Sequence, residues 1–182
     1  SLNAGSLWGR PFYILREAWN ILNAIAEGKI ESGDEKKLNA LKGETMAVIA
    51  LCQFDLTRCF GYPYTKDKGA SLGAPLIDHL VGTYENPPRS TVAQAYDFII
   101  ETLEEAVTLM SEEKNNGRMN KYAARALLAR IYLYHDDNRK AFDLADQLIK
   151  DADTSGSYAL YPHEKYVAAW SVEAKFGSES FF

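Results

Sequence analysis

The chain has 182 residues, enough for one domain with a sizeable core, and its 47% hydrophobic and 25% charged content excludes a disordered polypeptide. A net charge of −5, with no local cluster of Lys and Arg, excludes a surface built to neutralise nucleic-acid phosphates. No run approaches the roughly 18 apolar residues of a membrane-spanning helix, and no basic start followed by an apolar stretch marks a signal peptide.

A first helix is expected over about 10–28, opened by Pro11, where a missing amide proton is harmless, and closed by Gly28. Phe12, Leu15, Trp19, Leu22 and Ala26 form one apolar stripe, and Ile14, Ala18, Ile21 and Ile25 a second. After a polar link from Glu31 to Lys37, a second helix is expected over 37–60. Its apolar residues, among them Leu41, Val48, Leu51, Cys52, Phe54, Leu56, Cys59 and Phe60, occupy more than one face, which predicts burial on two sides. Gly61 can take the left-handed conformation that closes a helix, and Pro63 prevents resumption. The two helices should form an antiparallel hairpin. Cys52 and Cys59 lie about 10 Å apart along one helix, at about 1.5 Å per residue, too far for a disulfide; they read as buried thiols.

Residues 61–90 break the helical pattern and hold four of the six prolines and four of the twelve glycines. Tyr62, Tyr64, Leu72, Leu76, Ile77 and Tyr84 give this segment material to pack, which predicts an ordered loop. A third helix is expected over 91–112, with Thr91 and Gln94 spaced as a capping box. After a turn at Asn116-Gly117, Asn120 caps a fourth helix over 120–135, rich in Ala123, Ala124, Ala126 and Ala129. A fifth, over 138–152, carries Ala141, Phe142, Ala145, Leu148 and Ile149. Tyr158, Leu160 and Tyr161 follow in irregular or single-turn structure. The expected fold is all-α: stacked helix hairpins of tetratricopeptide-like type with a long ordered loop insertion. Ser1 at one end and Phe181-Phe182 at the other suggest a piece of a longer protein, one helical-repeat domain over 1–182.

Chemistry is sparse. There is no phosphate loop, no dinucleotide fingerprint and no histidine pair at metal-binding spacing. His79, His135 and His163 are far apart, and His135-Asp136-Asp137-Asn138 reads as a turn with Asp137 or Asn138 as cap. Glu101, Glu104 and Glu105 read as a solvated helix face. No enzyme activity, metal or cofactor is expected. The aromatic content is generous, eleven Tyr and three Trp, and flat aromatic faces are what sugar rings stack on. Trp19, Tyr96, Tyr122, Tyr132 and Tyr134 lie within helices, where core packing accounts for them. Trp8, Tyr62, Tyr64 and Tyr84 lie in segments expected to be non-helical or terminal, and are the candidate glycan-binding residues.

Several strings then resemble one family in register. Tyr13-Ile14 and Asn20-Ile21-Leu22 are followed by Leu41-Lys42-Gly43-Glu44, Gln53-Phe54-Asp55-Leu56 and Phe60-Gly61-Tyr62-Pro63. Arg89-Ser90-Thr91-Val92 and Leu103-Glu104-Glu105-Ala106 come next, then Gly117-Arg118-Met119-Asn120-Lys121 with Ala126-Leu127-Leu128-Ala129-Arg130 and Tyr132-Leu133-Tyr134. Together they resemble the SusD/RagB-like outer-membrane lipoproteins, although 45–50 lacks the Arg-Ala pair usual there. The resemblance implies a non-catalytic glycan-binding, nutrient-uptake component. Its ligand would be an oligo- or polysaccharide and its partner a SusC-like TonB-dependent transporter, with no role for nucleic acid. The full-length parent would sit on the external face of the outer membrane, held by a lipid anchor absent from this chain. The alternative is a helical-repeat adaptor that binds a peptide in its groove.

Overall fold

Five helices account for most of the chain: α1 (Ala4–Ala26), α2 (Glu35–Phe60), α3 (Val92–Leu109), α4 (Lys121–Tyr134) and α5 (Asn138–Ser155). The computed structural model describes residues 4–30, 33–114, 117–165, 167 and 177–179. Each helix packs on the next in chain order, and α2 lies between α1 and α3. The expected two-sided burial of α2 is what the core shows. Ile49, Cys52 and Leu56 meet Leu15 and Ala18 of α1. Met46, Ala47, Ala50 and Phe54 meet Val92, Ala95, Tyr96, Ile99, Leu103 and Ala106 of α3, and α4 adds Ala124, Leu128 and Ile131. A smaller cluster of Tyr122, Leu148, Ala152 and Tyr158 joins α4 to α5 and the chain beyond it.

Local chemistry sets the helix starts. Asp34 accepts from the Lys36 and Lys37 amides at the head of α2. Thr91 and Gln94 form the expected reciprocal capping box on α3, Asn120 accepts from the Ala123 amide on α4, and Asp137 from the Lys140 amide on α5. Two motif strings distant in sequence meet in space. Glu44 accepts the Arg118 guanidinium and, at 3.1 Å, the Met119 amide. Beside it, a Cβ on Gly43 would lie 2.7 Å from the Met110 side chain and 2.9 Å from the Ala106 carbonyl. Only a glycine lets α2 and α3 approach this closely.

Four expectations need correction. Helix α1 opens at Ala4, two turns before Pro11, which lies inside it. Pro11 leaves only the Leu7 carbonyl without its helical partner, and Trp8 packs its ring edge-on against Phe12 (5.0 Å) and Phe60 (4.7 Å), contacts that favour the extra turns. Trp8 is therefore helical, not part of a terminal coil. Gly61 is extended (φ −114°, ψ 168°), not left-handed. Its lack of a side chain serves close approach, because a Cβ there would meet the Thr57 carbonyl at 2.7 Å and Val92 at 2.9 Å. Cys59 is exposed, while Cys52 is buried and its thiol is pushed up to about 11 by burial, then by the Asp55 charge.

The fourth correction concerns 61–90. This segment contains a 3-10 turn (Tyr64–Lys66) and a strand, β1 (Leu72–Pro75), which pairs antiparallel with β2 (Arg89–Thr91). Among the described residues the fold is thus mostly helical, with one small two-stranded sheet at the start of α3. The Ser71 and Gly69 carbonyls accept from the Val92 and Ala93 amides at 2.9 Å, satisfying two donors that the start of α3 would otherwise leave unpaired.

Candidate functional site

The insertion is fastened to the helices by polar side chains. Gln53, fully buried in α2, donates to the Pro75 carbonyl at 3.1 Å and accepts from the Ile77 amide at 3.3 Å. Its amide therefore acts as a short length of neighbouring strand. Trp19 of α1 donates to the Ile77 carbonyl at 3.2 Å. Arg89 donates to the Leu72 and Gly73 carbonyls, both at 2.7 Å, and Ser90 to Ala74. These bonds hold 72–77 as a fixed edge beside α1 and α2.

The candidate aromatics divide by what they touch. Trp8 is 40% exposed, with the edge contacts to Phe12 and Phe60 on one side and solvent on the other. Tyr62 is 56% exposed, with the Lys66 ammonium 3.0 Å from its ring centroid. Tyr64 is half-buried, its ring 4.2 Å from His135 and 5.6 Å from Tyr96, the arrangement of an anchor. Beneath it, burial pushes the Tyr96 phenol up to about 12. Tyr84 is 95% exposed at the tip of the 78–88 loop.

Antiparallel packing gathers three of the four at one end. The start of α1 meets the end of α2 at Trp8 and Phe60, and Tyr62 and Tyr64 follow within four residues. Tyr84 stands apart, on a loop that walls a cavity of about 540 Å³ lined by Phe12, Arg16, Ile77, Val81, Thr83 and Asn86, among others. Phe12 links the two areas, since it also carries Trp8.

Two features of this region were missed in the sequence. Gln53 had a usable signal, a polar residue between Cys52 and Phe54 on a buried face. The grouping of Asp78, His79 and Glu85 had none, because it depends on the loop's path. Among the described residues there is no group of three or more His, Cys, Asp or Glu arranged to hold a metal ion, and no helix long and apolar enough to cross a membrane.

The comparisons with known proteins bear on this architecture. The SusD-like family described as "Starch-binding associating with outer membrane" matches residues 3–133. No curated protein matches the chain. Among solved structures, a SusD superfamily protein from Bacteroides thetaiotaomicron is 40% identical with a TM-score of 0.90, covering 96% of this chain and 37% of its own length. A Bacteroides vulgatus protein proposed to bind sugar is 38% identical with a TM-score of 0.87, covering 96% and 39%. A laminarin-binding SusD-like protein shares the fold at 23% identity and a TM-score of 0.75, covering 97% and 36%. The chain therefore spans under two fifths of the first two relatives' length. With a family match across most of its helices and these two relatives at 38–40% identity, the chain belongs to the SusD-like family.

Proposed function

We propose that this chain is the helical-repeat portion of a longer, non-catalytic glycan-binding protein of the outer-membrane surface, and that the exposed rings of Trp8, Tyr62 and Tyr84 contact the glycan. Tyr64 would support that surface from beneath. The observation that carries the reading is the insertion itself: a non-helical segment fastened to α2 by Gln53 and to α1 by Trp19, leaving Tyr62 and Tyr84 open to solvent. An exposed aromatic face offers a sugar ring a stacking partner. By the same reading, the parent acts with a SusC-like TonB-dependent transporter and is held on the external face by a lipid anchor.

Calorimetric titration of the full-length parent with a panel of oligosaccharides tests the proposal. Stacking on one ring contributes on the order of 1 kcal/mol. Trp8→Ala, Tyr62→Ala and Tyr84→Ala should each weaken binding several-fold while leaving the fold intact. Unchanged affinity in all three variants would move the site elsewhere in the parent. Release of reducing sugar by the wild-type parent would overturn the non-catalytic reading, and failure to co-purify with a transporter encoded beside it would remove the proposed partner.

A further inference from the structure

The 78–88 loop lacks the kind of fastening that holds 72–77, and one side chain closes it. His79 places Nδ1 2.6 Å from Asp78 Oδ1 and Nε2 2.7 Å from Glu85 Oε1. The other Glu85 oxygen accepts from the Gly82 amide at 3.0 Å. A neutral imidazole carries one N–H and one bare lone pair, so it can donate to only one carboxylate and would turn its lone pair on the other. With both carboxyls ionised, two ring nitrogens each within hydrogen-bond distance of a carboxylate oxygen are both satisfied by the doubly protonated imidazolium. The carboxylates lie off opposite edges of the ring and do not converge on a point, which speaks against a shared metal ion.

We propose that Asp78, His79 and Glu85 form a protonation-dependent clasp: the His79 imidazolium ties the two ends of the 78–85 turn together and holds the loop carrying Tyr84 beside α1. The loop is placed for this. Val81, like Phe12 and Trp19 of α1, packs against the buried cluster that includes Leu15, Ile49 and Ile77, and Val81, Gly82, Thr83 and Asn86 line the cavity with Phe12 and Arg16. Arg16 is the charged residue on the α1 side of that cavity, and its guanidinium is paired with Glu17 at 3.1 Å, not with the clasp. The groups that face His79 are thus the two carboxylates.

The direction of the pH response follows. Hydrogen bonds to Asp78 and then Glu85 raise the His79 pKa above its ordinary 6.5. The Gly82 amide and then His79 hold the Glu85 carboxyl below its ordinary 4.5. A raised histidine contributes its stability fully below its unfolded pKa and loses it as pH rises through the folded one. A lowered carboxylate contributes above its unfolded pKa and loses it as pH falls through the folded one. The clasp is therefore closed from mildly acidic pH to somewhat above 6.5, and opens at either side.

Histidine-selective NMR titration of the 182-residue chain from pH 5 to 9 tests it, with His79→Gln assigning the signal. The His79 midpoint should lie above that of a free imidazole, and Glu85→Gln should lower it while leaving His135 and His163 unmoved. The Gly82 amide, corrected for intrinsic exchange, should lose protection several-fold between pH 6 and pH 9 in the wild type and show no such change in His79→Gln. A His79 midpoint at or below 6.5, no response to Glu85→Gln, or equal Gly82 protection at both pH values would overturn the clasp. A consequence for ligand rests on the glycan reading above: parent affinity should fall from pH 6 to pH 9 in the wild type but not in Tyr84→Ala. A clasp that titrates as described beside an affinity indifferent to Tyr84 would retain the clasp and sink that reading of Tyr84.

Discussion

The helical frame and the 61–91 segment are held by different forces, although they share a boundary at Gln53. In the frame, α2 buries apolar residues toward both neighbours, and packing against α1, α3 and α4 supplies the stability. In the segment, 72–77 buries few large side chains. It is located instead by hydrogen bonds from Gln53, Trp19, Arg89 and Ser90 to its main chain. The first arrangement tolerates changes that conserve volume and apolarity. The second tolerates almost no change at a donor or acceptor, because a buried carbonyl or amide left unpaired keeps its full desolvation cost.

The comparison can be broken most severely at Phe54, a fully buried ring on the α3 side of α2. Phe54→Ala should cost about 3–5 kcal/mol in urea denaturation, by lost burial and the cavity left behind. A cost under about 1 kcal/mol would show that the frame is not packed as described. Gln53→Leu keeps the volume but strands the Pro75 carbonyl and the Ile77 amide, with an expected cost of about 1–3 kcal/mol. Amide exchange should then speed up selectively at Ile77, with α3 unaffected. Uniform loss of protection would mean that the insertion and the frame unfold as one. Thr91→Ala removes one half of the α3 capping box and should lower stability by about 1 kcal/mol. Its exchange signature should fall on the first turn of α3 and on β2, where frame and insertion meet. Tyr84→Ala should leave stability within about 0.5 kcal/mol, since the ring is almost wholly exposed. A larger loss would reveal a packing role for the loop tip.

Much of the frame was legible because helices advertise themselves locally. The apolar spacing of α2 and α3, the Thr91–Gln94 box and the Asn120 and Asp137 caps are all contacts within a few residues of chain, and the structure contains each of them. The errors arose where a distant contact overrode a local signal. Pro11 is a good helix opener, yet Phe60 packs on Trp8 and favours two earlier turns. Gly61 has the composition of a left-handed cap, yet Val92 and the Thr57 carbonyl explain the glycine. The four candidate rings were chosen for lying outside helices, a criterion that misplaced Trp8 and could not separate the half-buried Tyr64 from the exposed Tyr62 and Tyr84.

By itself the sequence determined where helices run, how most of them begin and which faces are apolar, because periodicity and capping act over one or two turns. It also carried the strings that resemble the family, two of which meet at a junction: Glu44 with Arg118 and Met119, beside the close contact at Gly43. Only the tertiary structure decided that these strings touch, that Gln53 serves as a strand edge, and that Asp78, His79 and Glu85 share one ring. Each depends on chain closure across tens of residues or on the path of a loop, and no local spacing encodes the distance between two side chains that such a path brings together.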